Sequence, residues 1–409
     1  MDPALAARRV ALDVLAACLD KGQPLDDALA RHSGLAALEP RDRAFVRLLL
    51  ATTLRRLGEI DGVLAALVER DNPAARQVLR LGAAQLLFLG TPAYAAVDTS
   101  VNLIAPHLRG LANAVLRRIA RDGAGLLGER DAVRLNTPHW LWESWRAAYG
   151  EETTRAIAAA NLTEAPLDIS VKQDAALWAE RLGAELLPTG TLRRTTGGNV
   201  TELPGYDEGA WWVQDAAAAL PARLLGDVRG RRVADLCAAP GGKTLQLAAA
   251  GALVTAVDIS ARRVARLERN LKRAGLAAEL VVADAGKWQP AEKFDAILLD
   301  APCSGTGTLR RHPDIAWLKG QDDVDRLTLM QDRLLANAAT LLKPGGTLVY
   351  AVCSLQPEEG AERVAASRLE RQPVRNGDLP GLDGALTADG DVRTLPTMGL
   401  DGFYVARLA

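Results

Sequence analysis

Two cysteines in the C-terminal half of the sequence stand where chemistry is easiest to place: Cys303 in Asp300-Ala-Pro-Cys303-Ser-Gly-Thr-Gly and Cys353 in Tyr350-Ala-Val-Cys353-Ser354. Each follows a short Val/Ile/Leu run of strand type, so both are expected just past strand ends, at the ligand edge of one sheet. A lone cysteine is usually a small buried hydrophobe, and Cys18, in an apolar helical face, is expected to be that. Two at a ligand edge suggest covalent catalysis, in which a thiolate adds to the substrate and is later expelled. A free thiol is little ionised near neutrality, so the site must favour the thiolate or take its proton during attack.

Methylation of cytosine at carbon-5 has this requirement. That carbon is a poor nucleophile until a thiolate adds at carbon-6 and pushes electron density towards it. The carbon-5 proton must then leave before the thiolate can be expelled, and a second thiol is a natural assistant. Asp300 would accept a hydrogen bond from the amino edge of the base or deliver a proton to ring nitrogen-3. The second role needs a pKa far above the about 3.9 of a free Asp. Spacing alone does not say which cysteine attacks.

An earlier strand runs into Asp235-Leu-Cys237-Ala238-Ala239-Pro240-Gly241-Gly242-Lys243-Thr244, a loop whose glycines let backbone approach a ligand at a helix start. The next strand ends in Asp258, where an acidic side chain takes ribose hydroxyls in dinucleotide-type folds, and the third ends in Asp284. Together they imply an adenosine-like ligand held by its ribose and its adenine amino group. The rival reading is a nucleoside triphosphatase, with Pro240 to Thr244 as the end of a Walker A loop and Ala296 to Asp300 as a Walker B strand. The P-loop formula needs a glycine five residues before Gly242, and Cys237 stands there.

These residues require a scaffold that brings several strand ends together. From Arg231 onward short apolar runs alternate with helical segments, which predicts a doubly wound Rossmann-like α/β domain over 231–409 with helices on both faces of a parallel sheet. Up to about residue 130 the apolar spacing is helical: Leu12, Leu15 and Leu19, then Phe45, Leu48, Leu49 and Leu54, then Leu79, Leu81, Leu86 and Leu87. Pro40, Pro73, Pro92 and Pro106 fall where helices should begin or break, giving an all-α bundle of six or seven helices over 1–130. Between 131 and 230 lies a small α+β connecting subdomain, with Pro166 to Gln173 as its strand, followed by Gly- and Thr-rich turns.

The net charge is −1 over 409 residues, so any nucleic-acid affinity must come from local patches. Arginines cluster at Arg55-Arg56, Arg117-Arg118, Arg262-Arg263 and Arg310-Arg311. The four cysteines and four histidines are scattered without metal-ligand spacing, and no metal site is expected. No signal-peptide core and no run of membrane-helix length is present, so a cytoplasmic protein without membrane association is expected.

The stretches CAAPGGKT, VDIS, DAPCSGTGTLRRHPDI, LLKPGGTLVYAVCSLQPEEG and DGFYVARL resemble the RNA 5-methylcytosine methyltransferases, and among them the RsmB/Sun (Fmu) family acting on 16S ribosomal RNA. RDRAFVRLLLATTLRRLGEID and LANAVLRRI resemble the NusB-like domain that precedes the catalytic part in this family. The resemblance implies S-adenosylmethionine as cofactor, bound by Cys237 to Lys243, Asp258, Asp284 and Asp300. It implies Cys353 as nucleophile and Cys303 as the residue assisting release, with Asp300 beside the base. The partner it implies is 16S rRNA or an assembling small ribosomal subunit. A different class of function, a helical ribosome-assembly adaptor whose methyltransferase fold is inactive, is opposed by the intact cysteine pair and acidic positions. Arg55, Arg56, Arg117 and Arg118 are the candidate phosphate contacts of the bundle.

Overall fold

The computed structural model describes residues 3–69, 72–128, 130–195 and 198–409, apart from the Ala124 side chain; part of the expected Gly/Thr-rich turns lies outside them. The chain divides into two compact units: Met1–Thr163 with Leu309–Gly320, and Glu164–Thr308 with Gln321–Ala409.

The first unit is helical. Its long helices are Pro3–Leu19, Pro40–Arg55, Leu57–Leu67, Pro73–Leu87, Ala93–Leu103, Arg109–Leu127 and His139–Asn161, with short turns of helix between them. Pro40 and Pro73 occupy first helical positions, where the missing N–H costs nothing. Val10, Val14, Leu15, Leu49, Leu50, Ile60 and Leu116 meet in its core, and Cys18 is wholly buried there. Leu48 departs from the expected inward face: it is 47% exposed. Val46, Leu49, Leu50, Thr53 and Leu54 already hold the buried stripe of that helix, which turns Leu48 outward. The segment Leu309–Gly320 folds into this unit. Trp317 Nε1 donates to Leu54 O (2.8 Å), Leu25 N donates to Asp314 Oδ2 (2.9 Å), and Trp317 and Leu318 pack against the helical core.

The second unit holds two sheets. The smaller is antiparallel, built from β1 (Leu167–Val171), β2 (Glu185–Leu186), β3 (Leu192–Arg194) and β4 (Trp211–Val213) in the order β2-β3-β1-β4. The larger contains β5 (Arg232–Leu236), β6 (Leu253–Asp258), β7 (Glu279–Val282), β8 (Phe294–Asp300), β9 (Leu342–Val352), β10 (Val392–Thr394) and β11 (Phe403–Leu408). Its order is β10-β11-β9-β8-β5-β6-β7. The five strands β5 to β9 pair in parallel, as expected, while β11 joins β9 antiparallel and β10 joins β11 antiparallel. β10 and β11 need no crossover helix, so a short hairpin closes that edge.

Strand residues alternate between two apolar layers. Val233, Ala296, Leu298, Val349 and Val405 enter one, and Ala234, Ile297, Leu299, Leu348 and Tyr350 enter the other. Both faces are covered, which makes the sheet doubly wound and leaves the carboxyl ends of the parallel strands as the place for a site.

Candidate active site

The loop after β5 leads into the helix Gly242–Ala249. Gly241 at its N-cap has φ 109°, and a Cβ there would drive into the Leu267 side chain, so the position accepts only glycine. Asp258, at the end of β6, ties this loop down: its Oδ2 accepts from Ala239 N (3.2 Å) and its Oδ1 from Ser260 N (3.0 Å). Arg263 lies over the same carboxylate at 3.3 Å and also donates to Ala239 O, leaving the Asp258 side chain 1% exposed.

Lys243, on the first turn of that helix, donates to Asp300 Oδ2 at 2.7 Å. Burial pulls the Lys243 pKa down, but the carboxylates of Asp300 and Asp235 outweigh it and hold the ammonium charged. Lys243 is thereby committed to a carboxylate at the end of β8, not to an anion over the loop as a Walker lysine would be. Asp235 is fully buried, and this raises its pKa to about 7; Thr244 Oγ1 donates to it at 2.5 Å. Cys237, beside Asp300 and Asp258, has its thiol pushed up to about 12, first by burial and then by those carboxylates. Cys237 is set as a neutral lining thiol.

Asp284 lies two residues past β7. Its Oδ1 accepts from Gly286 N (2.9 Å), and Arg333 pairs with it at 3.3 Å. Asp258 and Asp300 thus end their strands as expected, whereas Asp284 sits in the turn beyond its own.

Cys303 and Cys353 come together. Their sulfurs are 3.4 Å apart and both thiols are free. The hydrogen bond with Cys353 is the largest influence on Cys303, ahead of burial, and raises its pKa well above the ordinary thiol value. Either thiol of the pair can donate to the other sulfur across this distance. Close backbone approach joins the two loops: Gly307 N donates to Cys353 O (3.0 Å), and Gly402 N donates to Gly307 O (2.7 Å), with no room for a side chain on Gly307. No group of three or more metal-ligating side chains occurs among the described residues. No described helix is long and apolar enough to cross a membrane.

Several residues of the site carried no legible signal. Beneath the sulfurs, Ser304, Thr306, Ser354, Gln356, Gln331 and Glu359 form a buried polar network. Glu359 lies in the PEEG stretch, yet nothing in its spacing announces a wholly buried carboxylate. Ile259, next to Asp258, is 69% exposed, an apolar side chain left uncovered at the ligand edge.

Of the bundle arginines, Arg55 donates to Arg310 O (2.9 Å), and Arg56 pairs with Glu59 (3.0 Å) while lying over Phe88. Arg117 and Arg118 are exposed, and each binds a side chain of its own helix, Asn113 (3.0 Å) and Asp122 (3.9 Å) respectively.

The family model for the 16S rRNA methyltransferase RsmB/F matches residues 222–409, and that of the NusB family matches 5–121. The chain is 36% identical to ribosomal RNA small subunit methyltransferase B of Vibrio cholerae, covering 98% of this chain and 97% of that protein. It is 38% identical to the protein of the same name from Pseudomonas putida, covering 100% and 98%. Among solved structures, PH0851 superposes with a TM-score of 0.77 at 23% identity, covering 100% of this chain and 99% of the other. NSun6 of Pyrococcus horikoshii, solved with the S-adenosylmethionine analogue SFG, gives a TM-score of 0.58 at 21% identity, covering 66% and 97%; both show a shared fold. The similarity to the Vibrio and Pseudomonas proteins extends over nearly the full length of each, so the chain belongs to the RsmB/F family of S-adenosylmethionine-dependent small-subunit rRNA methyltransferases, with a NusB-family helical domain ahead of its catalytic domain.

Proposed function

We propose that this chain methylates carbon-5 of a cytosine in 16S rRNA, with Cys353 as the nucleophile that adds to carbon-6. The observation that carries the reading is the 3.4 Å approach of two free thiols on loops that follow adjacent parallel strands. The resemblance to the family assigns the attack to Cys353, and the geometry sets a second thiol beside it as a hydrogen-bond partner for the same sulfur.

The residues around the β5 and β6 ends fit S-adenosylmethionine by the chemistry of their donors. The loop Cys237, Ala238, Ala239, Pro240, Gly241, Gly242 and Lys243, with the carboxylates of Asp258, Asp284 and Asp300, offers acceptors to a ligand that is cationic and rich in hydroxyl and amino donors. The ribose hydroxyls would take the carboxylate lone pairs of Asp258 that backbone amides leave open, once the half-exposed Arg263 turns away. Ile259 would cover the adenine plane. When bound, the cofactor supplies an electrophilic methyl group.

The protein's own groups account for the remaining steps. The Cys353 thiol gives up its proton to solvent as its sulfur bonds carbon-6, and the electron pair of the 5,6-double bond moves to carbon-5. Asp300, ion-paired with Lys243, serves as an acceptor for the cytosine amino group, in preference to delivering a proton. After carbon-5 has gained the methyl group, its proton leaves to solvent, the double bond re-forms and the carbon–sulfur bond breaks. The Cys303 S–H, whose sulfur lies 3.4 Å from that of Cys353, donates to the departing thiolate. The base must be unstacked to reach this chemistry, so an unpaired or extruded cytosine is the substrate.

The test is incubation of unmodified 16S rRNA with the protein and labelled S-adenosylmethionine, followed by nucleoside analysis. Label in 5-methylcytidine supports the reading; label in any other nucleoside refutes it.

A further inference from the structure

We propose that Glu359 is the positioning residue that sets the Cys303 loop against the Cys353 loop. Its carboxylate is fully buried, and its hydrogen-bond donors flank the reacting sulfurs. Oε1 accepts from Ser304 N (2.8 Å) and from Gln331 Nε2 (3.1 Å), and Oε2 accepts from Ser304 Oγ (2.5 Å). Ser304 follows Cys303 directly. Gln331 Nε2 also donates to Pro302 O (2.9 Å), so both neighbours of Cys303 are held through this one side chain. The other loop is gripped from the same place: Tyr350, three residues before Cys353, donates its hydroxyl to Glu359 O at 2.6 Å.

The Ser304 proton is spent on Glu359, so across its 3.1 Å approach to Ser354 the Ser304 oxygen can only accept. Ser354, the residue after Cys353, is the donor there, and its own oxygen accepts from Gln356 N (3.0 Å). A hydrogen-bonded chain runs from the Cys353 loop through Ser354 and Ser304 to Glu359, with Thr306 Oγ1 as a side branch 3.2 Å from Ser354 Oγ. A buried carboxylate is costly unless several donors meet it, and here those donors are the atoms whose placement decides the 3.4 Å separation of the sulfurs. Its charge also opposes a thiolate at Cys303, in the same direction as burial and the Cys353 hydrogen bond.

Glu359→Gln keeps the size of the side chain but replaces one accepting oxygen by a donor, which faces either Ser304 N or Ser304 Oγ. The decisive readout is the pH dependence of Cys303 alkylation by iodoacetamide, followed by peptide mass spectrometry, with Cys237 as internal reference. Loss of the carboxylate charge lowers the Cys303 midpoint in Glu359→Gln by itself, so the positioning role is read in Ser304→Ala, which keeps that charge: if the loops separate there, Cys303 is freed from the neighbouring sulfur that raises its pKa most, and its alkylation midpoint falls while that of Cys237 stays. A group that merely supported the fold would change the rate for both thiols without moving the Cys303 midpoint, and that result overturns the proposal.

In Glu359→Gln, kcat for methyl transfer should fall by about tenfold or more with KM for RNA little changed, the pattern of misplaced reacting groups. Glu359→Asp, which keeps the charge on a shorter stem, should recover part of both. The kcat arm rests on the proposed cytosine reaction; the alkylation arm does not, so failure of one is separable from failure of the other. If Glu359→Gln does not fold, Ser304→Ala alone decides. A folded Ser304→Ala protein with the wild-type midpoint and wild-type kcat contradicts the assignment.

Discussion

The sulfurs of Cys303 and Cys353 stand 3.4 Å apart, on loops that follow two adjacent parallel strands. That separation is far beyond the about 2.05 Å of a disulfide bond and short enough for one S–H to point at the other sulfur. The Cys353 hydrogen bond, followed by burial, raises the Cys303 pKa well above the ordinary thiol value. In the proposed reaction, attack by Cys353 and hydrogen-bonded departure of the same sulfur would use one geometry.

Asp235 gives a pH-dependent stability. Its pKa is raised from 3.8 to about 7 in the fold, chiefly by burial. The folded state thus binds this proton more tightly than the unfolded chain, so the contribution is whole below the unfolded value and is lost as pH rises through about 7. Wild-type protein should lose on the order of a few kcal/mol from this group between mildly acidic and mildly alkaline pH. Asp235→Asn, which keeps an acceptor for Thr244, should show a flatter profile in urea unfolding. Identical profiles for the two proteins would exclude Asp235 as the source.

Asp258→Ala should weaken S-adenosylmethionine binding by about 1.5 to 3 kcal/mol, the range for losing hydrogen bonds to a charged group. Arg263→Ala provides the contrast. Arg263 lies over the Asp258 carboxylate, so its removal should leave cofactor affinity equal or tighter. Titration calorimetry distinguishes the two. Weakening by Arg263→Ala, with Asp258→Ala unaffected, would mean that the arginine binds the ligand and the aspartate only braces the loop.

The arginines divide into two sets with different expected phenotypes. Arg117→Ala and Arg118→Ala should lower the salt dependence of RNA binding by about 0.7 to 0.9 log units per log unit of salt for each phosphate left without its arginine. Arg55→Ala and Arg56→Ala should lower the melting temperature instead, because those side chains bind Arg310 O and Glu59 within their own unit. Salt titrations of affinity beside thermal melts settle the division. Unchanged salt slopes in the first pair would assign that helix face to another role.

Much of the catalytic architecture was legible because it is local. Strand-length apolar runs place Asp258, Asp300, Cys303 and Cys353 by their distance from strand ends, and the alternation of strands and helices fixes which edge they share. What escaped depends on interactions between distant segments. Nothing local tells that Leu309–Gly320 folds into the helical unit, because Trp317 and Asp314 find their partners at Leu54 and Leu25. Glu359 reads as a surface glutamate in an acidic turn until Ser304, Gln331 and Tyr350 arrive from three other places in the sequence. Arg55 and Arg56 read as a basic patch because Arg310 and Phe88, far off in sequence, are not visible as their partners, although Glu59, three residues after Arg56, is.

Trapping the covalent intermediate separates the proposed roles of Cys353, as the attacking sulfur, and Cys303, as the group that assists its release. Cys303→Ala and Cys353→Ala proteins are incubated with labelled 16S rRNA and S-adenosylmethionine, then run on a denaturing gel. The account predicts a stable protein–RNA adduct with Cys303→Ala, where addition proceeds but expulsion is impaired, and neither adduct nor methylation with Cys353→Ala. An adduct formed by Cys353→Ala and absent from Cys303→Ala would reverse the two roles and contradict the account.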